Sequence, residues 1–139
     1  MNKGKSVFFR SSFFRFVLVG GIGFIIEAIT LTLIAQYSSL GPIWGRAVSF
    51  PLAVLSTWWL NRKLTFRSQN PPGAEGIRYF AVQILGALTN TGIFIVTVKA
   101  IPSLWNIPVV PLAFGSLGGL VVNFILSAKV VFVPLRPKE

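Results

Sequence analysis

Apolar residues run along this chain in four long stretches, and its charges gather between them. Cutting the sequence at charged positions leaves stretches of about 16–36, 43–61, 79–98 and 108–128. The first holds only Glu27, the second only Arg46 near its start, and the third and fourth no charge at all. A helix needs about 20 mostly apolar residues to cross roughly 30 Å of hydrocarbon. A soluble helix of that length would show a polar face at a period of about 3.6 residues, whereas these stretches are apolar all round. The pattern predicts an all-α membrane protein with four transmembrane helices.

The intervening segments set the remaining organisation. Residues 1–15 read as a basic N-terminal segment, 16–132 as the four-helix domain and 133–139 as a tail. The apolar run after the basic start continues well past a signal-peptide core, which favours a first span over a cleaved leader. Phe9, Phe13 and Phe16 fall on one helical face with Arg10 and Arg15 nearby, a pattern that predicts a short helix in the inner interface. Residues 68–76, with Gln69, Asn70, Pro71, Pro72 and Gly73, read as a turn-rich linker.

Charge orients the chain. Eleven cations lie before the first stretch, between the second and third, and after the fourth, whereas only Arg46 and Lys99 lie at the other ends. The positive-inside rule therefore predicts both termini in the cytoplasm. Because these positives sit at helix ends, they favour the membrane over nucleic acid as the partner.

Composition narrows the chemistry further. Of 139 residues, 53% are hydrophobic and 12% charged, against about 25% charged in a soluble domain. Thirteen Lys and Arg face three acids, all Glu, for a net charge of +10, and there is no His or Cys. Such a chain offers no zinc site, no thiol nucleophile and no Ser-His-Asp triad, so neither an enzyme nor a metal or other cofactor is expected.

The halves resemble each other. Arg15, Phe16, Gly23 and Glu27 match Arg78, Tyr79, Gly86 and Asn90 at an offset of 63 positions. The run from Thr57 to Phe66 matches that from Asn123 to Phe132 at an offset of 66. A two-helix repeat returns to its starting side, so the halves are expected to share one topology, as parallel repeats do.

Several residues within the stretches need a reason. Glu27 lies about a dozen residues into the first helix, about 18 Å deep. A carboxyl there is costly unless paired, protonated or facing water, which makes it a functional candidate. Arg46, just inside the second stretch, is placed to reach toward Glu27 or an anionic headgroup, while Lys99 reads as a snorkelling cation. Gly20, Gly21, Gly23, Gly86, Gly92, Gly115, Gly118 and Gly119 are expected to let helices approach closely. Gln83 and other polar residues accompany them. Pro51 and Pro111 are expected to kink helices two and four. Trp44, Trp58, Trp59 and Trp105 read as interfacial belt residues.

The combination of Arg15-Phe16 before a glycine-rich first span with Glu27, the ending Trp58-Trp59-Leu60-Asn61-Arg62-Lys63-Leu64-Thr65-Phe66, the opening Arg78-Tyr79-Phe80, and Asn123-Phe124 leading to Lys129-Val130-Val131-Phe132 resembles the GtrA-like family. The resemblance runs from about Arg15 to Phe132. The chain departs from it in carrying Glu27 where the family often has Asp, and Ser127-Ala128-Lys129 where an Asn-Arg-like pair is expected. The resemblance implies a multi-pass protein of the bacterial inner membrane that flips a polyprenyl-phosphate-linked sugar for cell-surface polysaccharide synthesis. It also implies a membrane glycosyltransferase partner. In such a protein Arg62, Lys63 and Arg78 would collect the phosphate, Asn61, Asn90 and Asn123 would bond sugar hydroxyls, and Glu27 and Arg46 would act within the spans. Four short helices enclose little interior, which admits a homodimer. The competing readings are a small proton-coupled multidrug-type exporter and a membrane scaffold for a glycosyltransferase.

Overall fold

The computed structural model of the chain describes residues 3–39, 42–106 and 109–134. It is all-helical, with no strand among the described residues. Four helices run in order: α1 (Lys3–Tyr37), α2 (Pro42–Leu60), α3 (Pro72–Ala100) and α4 (Val109–Leu126). A π-helical segment follows α2 (Asn61–Thr65) and another follows α4 (Ser127–Val131), and a 3-10 turn (Pro102–Asn106) follows α3. The chain divides into two compact units, Met1–Gln69 and Asn70–Glu139.

Among the described residues, three stretches are long and apolar enough to cross a membrane: Arg10–Tyr37, Pro72–Ala100 and Val110–Val131. α2, at 19 residues, is not among these three. Two prolines, Arg46 and the Trp58-Trp59 pair dilute its apolar content. Helices also extend beyond the apolar stretches. α1 runs unbroken through the region expected to form a separate interfacial helix, since nothing between Ser6 and Phe16 breaks a helix. α3 starts at Pro72, with proline in its first turn, where a missing N–H costs nothing. Pro51 lies inside α2 as expected. Pro111 is the third residue of α4 as described, near its start.

The first unit pairs α1 with α2, the second α3 with α4, and burial repeats between them position by position. On α1 the buried residues among those described are Ser12, Phe16, Val19 and Gly23; on α3 they are Glu75, Tyr79, Val82 and Gly86, each 63 positions on. This 4-3-4 spacing traces one narrow stripe along a helix. Many large apolar side chains elsewhere on the helices, among them Phe24, Ile29, Leu88, Val96, Phe114 and Leu117, are exposed. Helices that bury a stripe and expose apolar residues elsewhere suit a lipid surround.

The stripe on the second helix of each unit keeps a spacing of four: Gly45, Ser49, Ala53, Thr57, Asn61 and Thr65 in the first, with Pro111, Gly115, Gly119, Ser127 and Val131 at the matching places in the second. In an α-helix, four residues overshoot a full turn by about 40°, so such a stripe drifts around the helix. The wider π turn, bonded i to i+5, turns it back. Both segments close alike: the Phe66 amide donates to the Asn61 carbonyl and the Phe132 amide to the Ser127 carbonyl, each at 2.9 Å. The Phe16 ring meets Phe66 edge-on at 6.3 Å, and Tyr79 meets Phe132 at 5.8 Å.

Candidate functional site

In the first unit, cations gather around the π-helical end. Arg15 reaches from α1 to donate to the Leu64 carbonyl at 3.2 Å, which brings its level on α1 beside the π segment. Arg62 is half-buried, whereas Lys63 and Arg67 are exposed. The Lys63 ammonium lies 5.0 Å from the centroid of the Trp59 ring, within cation–π range. Arg67 adopts a left-handed backbone (φ 50°), and the Ser68 amide after it donates back to the Arg62 carbonyl at 2.9 Å. That bond spans six residues, one more than the usual helix-ending bond, because it closes a π turn. The result is a sharp stop that holds Arg62, Lys63 and Arg67 together at one helix end.

Asn61, one residue before this cluster, faces inward. It is buried, and its side-chain oxygen accepts a bond from the Thr65 hydroxyl at 2.8 Å. The second unit reproduces the π end with fewer charges: Ala128, Lys129 and Val133 stand where the first unit has Arg62, Lys63 and Arg67. The Val133 carbonyl there accepts a bond from the Asn70 amide at 2.8 Å. Arg78, at the position matching Arg15, is exposed on α3.

Deeper in each unit the helices cross on glycine. A Cβ at Gly23 would collide with the Thr57 methyl group, and one at Gly86 with the Asn123 amide. These two contacts occupy matching positions in the repeat. In the second unit the close approach continues along α4. A Cβ at Gly115 would stand 2.5 Å from the Asn90 carbonyl oxygen, and one at Gly119 would stand 2.7 Å from that of Gly86. Gly20, Gly21 and Gly92, by contrast, face open space. Asn123 Nδ2 donates to Gln83 Oε1 at 3.1 Å, linking α4 to α3.

The eight residues singled out by sequence thus fall in different places. Asn61, Arg62 and Lys63 lie on the first π segment, and Asn90 and Asn123 lie along the α3–α4 contact. Arg78 is near the start of α3, and Glu27 is half-buried on α1. The side chain of Arg46 lies outside the described residues. Arg15, Gln83 and Glu75 are additional. Arg15 stood in the repeat and Gln83 among the polar span residues, but their partners are visible only in the fold. Glu75, buried in the first turn of α3, carried the signal of an acid at a helix N-terminus. Among the described residues no three of His, Cys, Asp or Glu gather in one place, so the chemistry rests on cations, amides and hydroxyls.

A family model described as GtrA/DPMS, transmembrane domain, matches residues 15–132 of the chain. The chain belongs to that family. No curated protein and no solved structure matches it significantly. As a GtrA/DPMS transmembrane domain it is a membrane protein tied to polysaccharide and lipid-linked-sugar processes. The repeated π ends and glycine crossings all fall within the matched GtrA/DPMS region.

Proposed function

We propose that this protein moves a polyprenyl-phosphate-linked sugar between leaflets of the bacterial inner membrane, with α2 as a fourth span and both termini cytoplasmic. The observation that carries the reading is the cluster of Arg15, Arg62, Lys63 and Arg67 at the π-helical end of the first unit. A lipid phosphate is drawn to such an end by charge, each cation near the surface contributing about 1 kcal/mol. Arg62 adds a planar fork suited to phosphate oxygens. The sugar then needs neutral hydrogen-bonding groups along its path, which Asn90 and Asn123 supply, while the polyprenyl tail stays in lipid. Glu27, with Arg46, supplies a charge within the spans that responds to the passing phosphate. No bond to the substrate is made or broken, so no enzyme chemistry is invoked. A membrane glycosyltransferase supplies the loaded lipid on the cytoplasmic side.

Deleting the gene in a cell that decorates its surface polysaccharide tests the reading. Loss of the surface sugar with the lipid-linked sugar accumulating in the inner leaflet supports transport. Loss of the surface sugar together with loss of the lipid-linked sugar itself supports the scaffold reading, in which the protein only holds the glycosyltransferase.

A further inference from the structure

Among the described residues, three buried polar atoms of the second unit have no hydrogen-bond partner: Gln83 Nε2, Asn123 Oδ1 and Ser127 Oγ. Gln83 and Asn123 already meet across α3 and α4 through the 3.1 Å bond. Ser127 follows Asn123 by four residues, one turn along the same face, and is fully buried. Turning both amides over leaves the same balance of one unpaired donor and one unpaired acceptor. Unpaired polar groups away from water are costly, and a small hydrogen-bonding group between α3 and α4 would relieve that cost.

The repeat supplies an internal control. The matching positions of the first unit are Gly20, Thr57 and Asn61. Gly20 has no side chain to satisfy. The Thr57 hydroxyl lies 3.0 Å from the carbonyls of both Ala53 and Val54, and Asn61 accepts from Thr65. In the first unit the polar groups at this place bond within their own helix, whereas the three atoms of the second unit do not.

The geometry points to a hydroxyl-binding site between α3 and α4, formed by Gln83, Asn123 and Ser127, that takes a hydroxyl of the lipid-linked sugar and holds water in its absence. An O–H group donates to Asn123 Oδ1 while accepting from Gln83 Nε2, which neither a bare cation nor a fully ionised anion does. Ser127 either donates or accepts, so it adapts to a second hydroxyl or a second water. Gly86 lets the Asn123 amide lie against α3, because a side chain there would displace it. The sugar as ligand rests on the transport reading above; the hydroxyl chemistry of the site does not.

The test uses the full chain in lipid nanodiscs with nitrogen-labelled Gln and Asn side chains. Magnetisation transfer from water to the Gln83 and Asn123 amides is followed as polyprenyl-phosphate-glucose or polyprenyl phosphate is added. The site predicts water transfer at both amides, suppressed by the sugar-bearing lipid and not by the sugarless one. It also predicts an affinity about tenfold higher for the sugar-bearing lipid, the worth of one or two hydrogen bonds. Gln83→Leu and Ser127→Ala should each reduce that preference, and Gly86→Ala should abolish it where the variant folds. Absence of water transfer before either polyprenyl lipid is added overturns the site. Transfer that neither lipid alters, although both bind, overturns the sugar as its ligand. Failure of both lipids to bind defeats the transport reading, while the water signal still reports on the site.

Discussion

Gly115 of α4 packs against the backbone of Asn90 in α3, with room for no side chain between them. The matching pair in the first unit is Ser49 and Glu27, and Ser49 is fully buried with its hydroxyl unpartnered. Backbone cannot swing aside as a side chain can, so Gly115→Ala must push α4 away from α3. Overpacking of this kind costs about 1–3 kcal/mol. Gly92→Ala meets nothing within 4 Å and should be neutral or stabilising. Unfolding in detergent is expected to show a lowered midpoint for Gly115→Ala alone; equal midpoints contradict the packing.

The cations of the first π segment are expected to recruit the lipid phosphate. Replacing both Arg62 and Lys63 by Gln should lower transport severalfold while the protein still inserts. A correctly oriented double variant with full transport would assign the pair to topology.

Glu27 separates a structural from a transporting role. Glu27→Gln keeps size and hydrogen bonding and removes the charge. A sharp fall in transport with assembly intact is expected, with partial function in Glu27→Asp because the charge survives on a shorter arm. Full transport by Glu27→Gln from mildly acidic to mildly alkaline pH leaves the residue as structural glue.

Orientation follows from the charge bias. The chain has no cysteine of its own, so single cysteines report cleanly. Cysteines at Gln69 and Glu139 should react with an impermeant thiol reagent only after the membrane is opened. Labelling of either from outside intact cells rejects the four-span topology.

The helices and the duplication were legible because they rest on local signals. Hydropathy runs mark the apolar stretches, and the offsets of 63 and 66 that align Gly23 with Gly86 and Thr57 with Asn123 also align buried positions. Helix ends were less legible, since cutting at charges finds the hydrocarbon crossing rather than the helix, and Arg10, Arg15, Glu75 and Arg78 all sit on helices that continue past it. The π segments were hidden because no residue type specifies them. They correct the drift of a stripe, and that stripe is set by packing against the neighbouring helix. Gln83 was visible as a polar residue, but its pairing with Asn123 exists only once α3 and α4 cross.

Leaflet access in proteoliposomes tests the account's central claim most directly. The purified chain is reconstituted with a polyprenyl-phosphate-linked sugar, and an impermeant sugar-modifying reagent is added outside. Without protein, about half of the lipid, that in the outer leaflet, should react. With the protein, nearly all should react, and Glu27→Gln should return the extent toward half. Modification that stays at half with well-folded, correctly inserted protein contradicts translocation.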